Sequence, residues 1–328
     1  MSRPEPIARL LDRWVRTRPP RAKSLVVSVF GDAVVPHGGV VWIGTLIRWL
    51  APFGINERAV RTAAQRLVGD GWLAPRSAGR RTDYTLTETS RHRFEDAERR
   101  IYASEPPPWN DEWCLVLLAA TRLSARDRDA LRRELRWLGF GEVSPGVLLH
   151  PGADLKELAL ELVELGLERR AVVLSARTQR SLPGHSPEAL RALAANAWDL
   201  RDLSAEYRDF VQRFREILRR INDEGTPSPE LCFRIRVLAI HEYRRVLLQD
   251  PRLPPDLLPE SWIGAEARWL CEAVYRRVEK KATAWIVETG ETARGALPGP
   301  AGPYPSRFGG LAQTAPPTRG ARNAISRP

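Results

Sequence analysis

Cysteine is scarce in this 328-residue chain. There are three, Cys114, Cys232 and Cys271, far apart and in no CxxC or Cys/His spacing. So odd and scattered a set argues against a disulfide framework and against a zinc site, and it fits a reducing compartment, the cytoplasm. A membrane-spanning run is also missing. Leu25 to Val35 is apolar but carries Gly31 and Asp32, and it is shorter than the roughly 20 residues a span needs. It reads as a core helix, and no membrane partner is expected. The N-terminus has many arginines and Lys23 but no apolar signal region; Ile7, Leu10, Leu11 and Trp14 read as a short amphipathic helix. No Walker loop, GxSxG or strand-linked GxGxxG occurs. HEYRR at His241 begins like a zinc-protease helix, but Arg245 stands where the second histidine belongs. No catalytic residue, metal ligand or cofactor is therefore expected.

Acidic residues are short in one region. Residues 1–94 hold 16 Lys and Arg against 7 Asp and Glu, a net of +9 within a chain of net +11. A basic excess so placed points to a polyanionic partner for that segment. Elsewhere the composition is ordinary for a protein with a core, at 43% apolar and 28% charged residues. The length allows two or three domains.

The basic segment has internal order. Asn56 is placed to cap a helix, with Ile55 and Val60 spaced as a hydrophobic staple around it. Val60, Ala64, Leu67 and Val68 then share one helical face, and Arg58, Arg61, Thr62 and Gln65 share another. Gly69 and Gly71 end the helix. Guanidinium and amide groups on one face match guanine and adenine edges in a major groove. Trp72 to Arg76 and Arg80 to Thr87 read as strands around Ser77-Ala78-Gly79. Alternation puts Tyr84 and Leu86 inward and Asp83, Thr85 and Thr87 toward water. Arg76, Arg80 and Arg81 lie near the tip, within reach of phosphates or a minor groove. Upstream, Ile43, Leu46, Ile47 and Leu50 mark another helix, joined to the capped one by Pro52-Phe53-Gly54. Helix, turn, helix and basic ribbon together predict a winged helix-turn-helix, with the Asn56-capped helix reading double-stranded DNA.

The rest of the chain changes rhythm. Ser90 to Ala103 is a charged connecting helix, and Pro106-Pro107-Pro108 marks a boundary. Trp113 to Ala119, a Ser124-capped helix, Val143 to His150 with its Pro145-Gly146 turn, Leu155 to Leu167 and Ala171 to Ser175 spell β-α-β-β-α-β, the ferredoxin-like order. Such a sheet has helices on one face, and its free face is a candidate dimer surface. From Pro187 to about Glu288 the pattern is helical, interrupted by the proline-rich Asp250 to Gly264. The last 40 residues hold seven Pro and seven Gly, a disordered composition. The predicted class is α+β and multidomain: a winged domain with extension and connecting helix at 1–104, a ferredoxin-like domain at 105–182, a helical domain at 183–288 and a tail at 289–328.

Several strings carry a family resemblance. TLIRWLAPFGINERAVRTAAQRLVGDGWLAPRSAGRRTDYTLT resembles the N-terminal domain of PaaX-type repressors. AWDLRDLSAEYRDFVQRF (197–214), HEYRRVLLQDPRLPPDLLPESWIG (241–264) and LCEAVYRR (270–277) resemble the C-terminal domain of that family. The central segment resembles the Cas2-like fold of small metal-dependent nucleases. Those carry an aspartate at the end of the first strand, whereas here the strand ends Ala119-Ala120-Thr121. The Cas2-like resemblance therefore implies shape and dimerisation rather than cleavage. A metal-dependent nucleic-acid-processing enzyme is the alternative reading.

The PaaX resemblance implies a dimeric repressor of phenylacetic acid catabolism, released from operator DNA by phenylacetyl-coenzyme A. Trp198, Tyr207, Phe210, Trp262 and Tyr275 read as core. His241, Arg244 and Arg245 form a dense polar group with two readings: structural pairing to Asp250 or Glu242, or binding of the anionic acyl-coenzyme A effector.

Overall fold

The computed structural model describes residues 7–102, 109–118, 123–181 and 186–311. The chain divides into two compact units. One is Met1–Ser104, Arg208–Arg245 and Ala265–Pro328; the other is Glu105–Tyr207 and Val246–Gly264. The expected helical domain at 183–288 is not a compact body of its own. Its helices carry apolar side chains for two different cores, so its residues are divided between the units.

In the first unit, α1 (Ile7–Thr17) buries Ile7, Leu11 and Val15, one stripe of the predicted amphipathic helix. α2 (Ala22–Val29) continues into a π turn at Phe30–Val34, and together they form the predicted core helix. Next come β1 (Val40–Trp42) and α3 (Ile43–Leu50). Gly54 follows at φ +73°, a left-handed conformation that glycine adopts without a Cβ clash. Then follow α4 (Glu57–Gly69), β2 (Leu73–Ala78), β3 (Arg81–Leu86) and α5 (Glu88–Tyr102). The three strands form an antiparallel sheet in the order β1-β3-β2. The hairpin turn is Gly79-Arg80, one residue past the expected centre, with Gly79 at φ +61°.

The alternation assigned to β3 is corrected. Asp83 and Thr85 are buried, and Tyr84 is only half-buried. β3 is the central strand, which the sequence reading missed because it did not identify β1. Thr85 Oγ1 donates to the Gly39 carbonyl at 2.9 Å, and Asp83 Oδ1 accepts from the Ala293 N–H at 2.8 Å. Buried polar side chains so partnered are tolerated.

The second unit has β4 (Glu112–Leu117), α6 (Ala125–Trp137), β5 (Gly141–Ser144), β6 (Val147–His150), α7 (Leu155–Glu164) and β7 (Val172–Arg177). Ser124 Oγ caps α6 by accepting from the Asp127 N–H at 3.1 Å. The sheet is antiparallel in the order β5-β6-β4-β7, as the predicted ferredoxin-like connection requires. Cys114, Val116 and Leu118 pack with Leu131, Leu135, Leu158 and Leu162 on the helical face.

The opposite face is not free over β4 and β6, contrary to expectation. Trp113 and Leu149 pack there with Ala194 of α8 (Pro187–Ala197) and with Leu253 and Leu257 of the proline-rich segment. β7 differs: it is a sheet edge, and all six of its residues are exposed. Pro106-Pro107-Pro108 and Ala119-Ala120-Thr121, used in the sequence reading, lie outside the described residues.

Three long helices follow: α9 (Leu200–Glu224), α10 (Pro229–Leu247) and α11 (Gly264–Thr289). Trp198, Tyr207, Phe210 and Tyr275 are buried as expected, and Trp262 is partly so. The expectation of a disordered tail from 289 is overturned through residue 311. β8 (Glu291–Thr292) pairs with β9 (Gly295–Ala296), and a helical turn occupies Tyr304–Gly309. The Gly and Pro count hid four anchors: Leu297, Tyr304, Arg307 and Phe308 are all buried. Residues 312–328 lie outside the described residues.

Candidate nucleic-acid interface

The candidate reading helix is α4. Asn56 has an extended backbone (φ −74°, ψ 164°), and its Oδ1 accepts from the Ala59 N–H at 2.9 Å. That bond satisfies a first-turn amide and sets the helix start. Val60, Ala63, Ala64 and Leu67 are buried, which fixes the rotation of the helix about its axis. The same rotation leaves Arg58, Arg61, Thr62 and Gln65 exposed. Arg61 pairs with Glu57 one turn back at 2.8 Å, an exposed pair that stabilises little. Among the described residues, no hydrogen bond or ion pair holds the side chain of Arg58, Thr62, Gln65, Arg76 or Arg80. Their donors are available to a partner.

The ribbon places Arg76 on β2, Arg80 in the turn and Arg81 at the start of β3. Arg81 is the constrained one. Its guanidinium lies 4.3 Å from the Trp42 ring centroid, and its Nη1 is 3.5 Å from Glu291 Oε2.

The second predicted group is brought together on α10, with His241 and Arg244 turned onto α2. His241 is buried, and its Nδ1 is 2.9 Å from Ser28 Oγ on α2. Burial, then the charges of Arg244 and Arg245, push its pKa down to about 3. It is therefore neutral at physiological pH and carries no charge for a phosphate. Arg244 donates through Nε to Ser28 Oγ at 3.2 Å and through Nη2 to the Ser24 carbonyl at 3.2 Å. Arg245 is partly exposed and lies 3.8 Å from Glu242. Asp250 instead accepts from the Tyr207 hydroxyl at 2.7 Å.

Sequence reasoning missed a buried charge cluster. Asp32, in the π turn, is fully buried between Arg236 of α10 and Arg307 of the C-terminal segment. Arg236 Nε donates to Asp32 Oδ2 at 2.7 Å, and Arg307 Nη1 to Asp32 Oδ1 at 2.9 Å. The Tyr102 hydroxyl adds a bond to Oδ1 at 2.7 Å. Both arginines also reach the Asp32 backbone carbonyl, at 2.8 and 3.3 Å. Arg307 Nη2 donates to Glu98 at 3.0 Å, and Arg236 Nη1 to Thr283 at 2.9 Å. Burial works to raise the Asp32 pKa, but the charges of Arg236 and Arg307 outweigh it and hold the carboxyl below its ordinary value. The signal was present in the sequence: one carboxylate, Asp32, inside an apolar helix and two arginines, Arg234 and Arg236, inside CFRIRVLAI. Residues of that kind are rarely buried unless paired.

The second unit offers different chemistry. Asp111 and Glu112 stand just before or at the start of β4, and Asp111 is held by Arg180 at 2.6 Å. Arg180 also bonds Asp256 at 2.5 Å.

Comparison with known proteins accounts for most of the chain. A family model described as PaaX-like protein matches residues 21–90. The PaaX protein central Cas2-like domain matches 106–190, and the PaaX-like protein C-terminal domain matches 198–288. The chain is 38% identical over 300 residues to the transcriptional repressor PaaX of Escherichia coli (strain K12), covering 90% of this chain and 93% of that one. Among solved structures, the uncharacterized protein Rv0674 from Mycobacterium tuberculosis aligns at 26% identity with a TM-score of 0.47, over 79% of this chain and 98% of that chain.

Proposed function

The chain belongs to the PaaX family, and on that premise we propose that it is a transcriptional repressor of a phenylacetate degradation operon rather than an enzyme. The observation that carries the reading is the outward face of α4. Arg58, Arg61, Thr62 and Gln65 share it, and behind it the Asn56 cap and a buried apolar stripe hold the helix rigid. With α3, the turn at Gly54 and the β2–β3 ribbon, this makes a winged helix-turn-helix. α4 enters the major groove of operator DNA, and Arg76, Arg80 and Arg81 meet the phosphate backbone. Such a protein works where the chromosome is, in the cytoplasm; no described helix is long and apolar enough to cross a membrane.

Replacing Arg61 by Ala tests this reading. If Arg61 reads a base, the change costs about 1–3 kcal/mol on operator DNA. A gel-shift titration in which Arg61→Ala binds operator as tightly as wild type assigns the groove contact to another face.

The repressor acts as a homodimer, with the Pro106–Arg177 region contributing to the interface. Support comes from β7, an edge strand with Val172, Val173 and Leu174 exposed, and from exposed Leu155, Leu160 and Val163 on α7. An uncovered apolar edge is otherwise a liability in a soluble protein. The effector is an aromatic acyl-coenzyme A, phenylacetyl-coenzyme A, as the family resemblance implies. It acts by binding the DNA-free state more tightly than the DNA-bound state. Of His241, Arg244 and Arg245, Arg245 presents the charge an anionic ligand meets first, because the other two are turned onto α2. Titrating a preformed protein–DNA complex with phenylacetyl-coenzyme A checks this. Arg245→Ala should need more effector for release than wild type at unchanged DNA affinity.

A further inference from the structure

The segment after α11 is tied to the N-terminal part of the chain along its length, and its first residues meet α3 and the ribbon. Glu291 exchanges two hydrogen bonds with Thr45 of α3: its N–H donates to Thr45 Oγ1 at 3.1 Å, and Thr45 Oγ1 donates to its carbonyl at 3.3 Å. Two residues on, Ala293 donates to the buried Asp83 of β3. The Pro298 carbonyl lies 2.7 Å from His37 Nδ1, and the Ala301 N–H donates to the Pro36 carbonyl at 2.9 Å. The segment ends at Arg307, in the Asp32 cluster. Residues 290–311 therefore form a strap pinned at both ends. At its first end the Glu291 carboxylate faces Arg81, which is also held against the Trp42 ring.

We propose that Glu291, presented by this strap, sets the DNA affinity of the ribbon by holding Arg81, so that the carboxylate and a DNA phosphate compete for one guanidinium. This rests on the reading of the β2–β3 ribbon as a phosphate-contacting wing. Both competitors are anions, and a phosphate brought to Arg81 is also brought near Glu291. Binding must then break the ion pair or accept repulsion between carboxylate and phosphate. Trp42 keeps the guanidinium in place for either partner, through attraction between a cation and an aromatic face. The main-chain bonds to Thr45 fix the Glu291 backbone, so a change confined to its side-chain charge leaves the strap in place. Arg76 and Arg80 have no such carboxylate partner among the described residues. One of the three ribbon arginines is thus restrained and two are free.

The test uses the full chain, a fluorescent random-sequence duplex and anisotropy titrations over a range of salt. Phosphate contact is sequence-independent, so an operator is not required. Glu291→Gln keeps size and backbone and removes the charge. It should bind the duplex about two- to five-fold more tightly, the range that loss of an exposed ion pair allows. On an Arg81→Ala background the same change should give no gain, which a double-mutant cycle reads directly. Wild-type affinity, or weaker, in Glu291→Gln overturns the proposal. So does a gain that persists with Arg81→Ala, because Glu291 would then act only as a nearby negative charge. A wild-type protein that does not bind the duplex defeats the DNA-reading proposal itself, and the two failures are told apart in the first titration.

Discussion

Two sets of arginines in the same compact unit have opposite fates. Arg58 on α4 and Arg76 and Arg80 on the ribbon point into solvent with donors to spare. Arg236 and Arg307 are buried, and their donors go to Asp32, Glu98, Thr283 and tyrosine hydroxyls. The residue type is the same, and so is the protein-wide basic balance. What separates them is whether the fold itself supplies the anion. Where Asp32 is built in, the guanidinium is structural. Where no carboxylate faces it, the anion must come from outside. Arg61 and Arg81 fall between the two sets, with exposed partners in Glu57 and Glu291.

The comparison breaks most visibly at Asp32. Asp32→Ala leaves two buried guanidinium groups without their shared carboxylate, and removing one partner of a buried ion pair costs about 3–5 kcal/mol. The elements joined there are α5, α10, α11 and the strap, so hydrogen exchange should accelerate at all of them. Arg58→Ala should change stability by less than about 0.5 kcal/mol, the usual range for a surface position. Equal denaturation midpoints for wild type and Asp32→Ala would show that the cluster carries no net stability.

His241 sharpens the same contrast through pH. Its pKa is about 3 in the folded protein, lowered by burial, against about 6.5 for an exposed histidine. Between those values the unfolded chain binds a proton that the folded chain does not. Stability from this group is therefore fully present above pH 6.5 and is lost as pH falls toward 3. Each pH unit in that window costs about 1.4 kcal/mol, so roughly 2 kcal/mol is lost by pH 5. His241→Gln should flatten the pH dependence of the denaturation midpoint between pH 7 and 5. An unchanged slope would mean that His241 protonates in place, as a ligand-facing histidine could.

What was legible in the sequence follows the same division. Periodicity sees local amphipathic order, so the Asn56 cap, α4, the hairpin and the βαββαβ order could all be read. It does not see what covers a strand from the far side. β3 was given a solvent face because β1, only Val40–Trp42, is too short to show a pattern. The Trp113-to-Ala119 run has apolar residues at both parities, the mark of a strand buried on two faces. That signal was available, and it foretold that Trp113 and Leu115 would be covered by α8 and the proline-rich segment. The strap was hidden for another reason. Its order comes from four anchors and from carbonyls paired with residues more than 200 positions away, and composition averages over such contacts. The polar group at 241–245 was visible as a cluster, but its partners Ser24 and Ser28 lie on α2 and could not be inferred from spacing.

The smallest expected effect lies at the tip of the ribbon, where Arg80 occupies the second turn position after Gly79. Its side chain makes no hydrogen bond or ion pair among the described residues, so Arg80→Ala removes nothing from the fold and should leave the denaturation midpoint unchanged. If Arg80 meets one phosphate, its loss weakens operator and random DNA alike, and the log–log salt slope falls by about 1. The contrast with Arg81 is then quantitative. Arg80 meets phosphate unopposed, whereas Arg81 must first leave Glu291, so Arg80→Ala should weaken random-duplex binding more than Arg81→Ala does. The measurement is the pair of salt-dependent titrations on the single variants. An Arg80→Ala slope equal to wild type would place the tip away from the backbone, and the exposed set of arginines would then shrink to the face of α4.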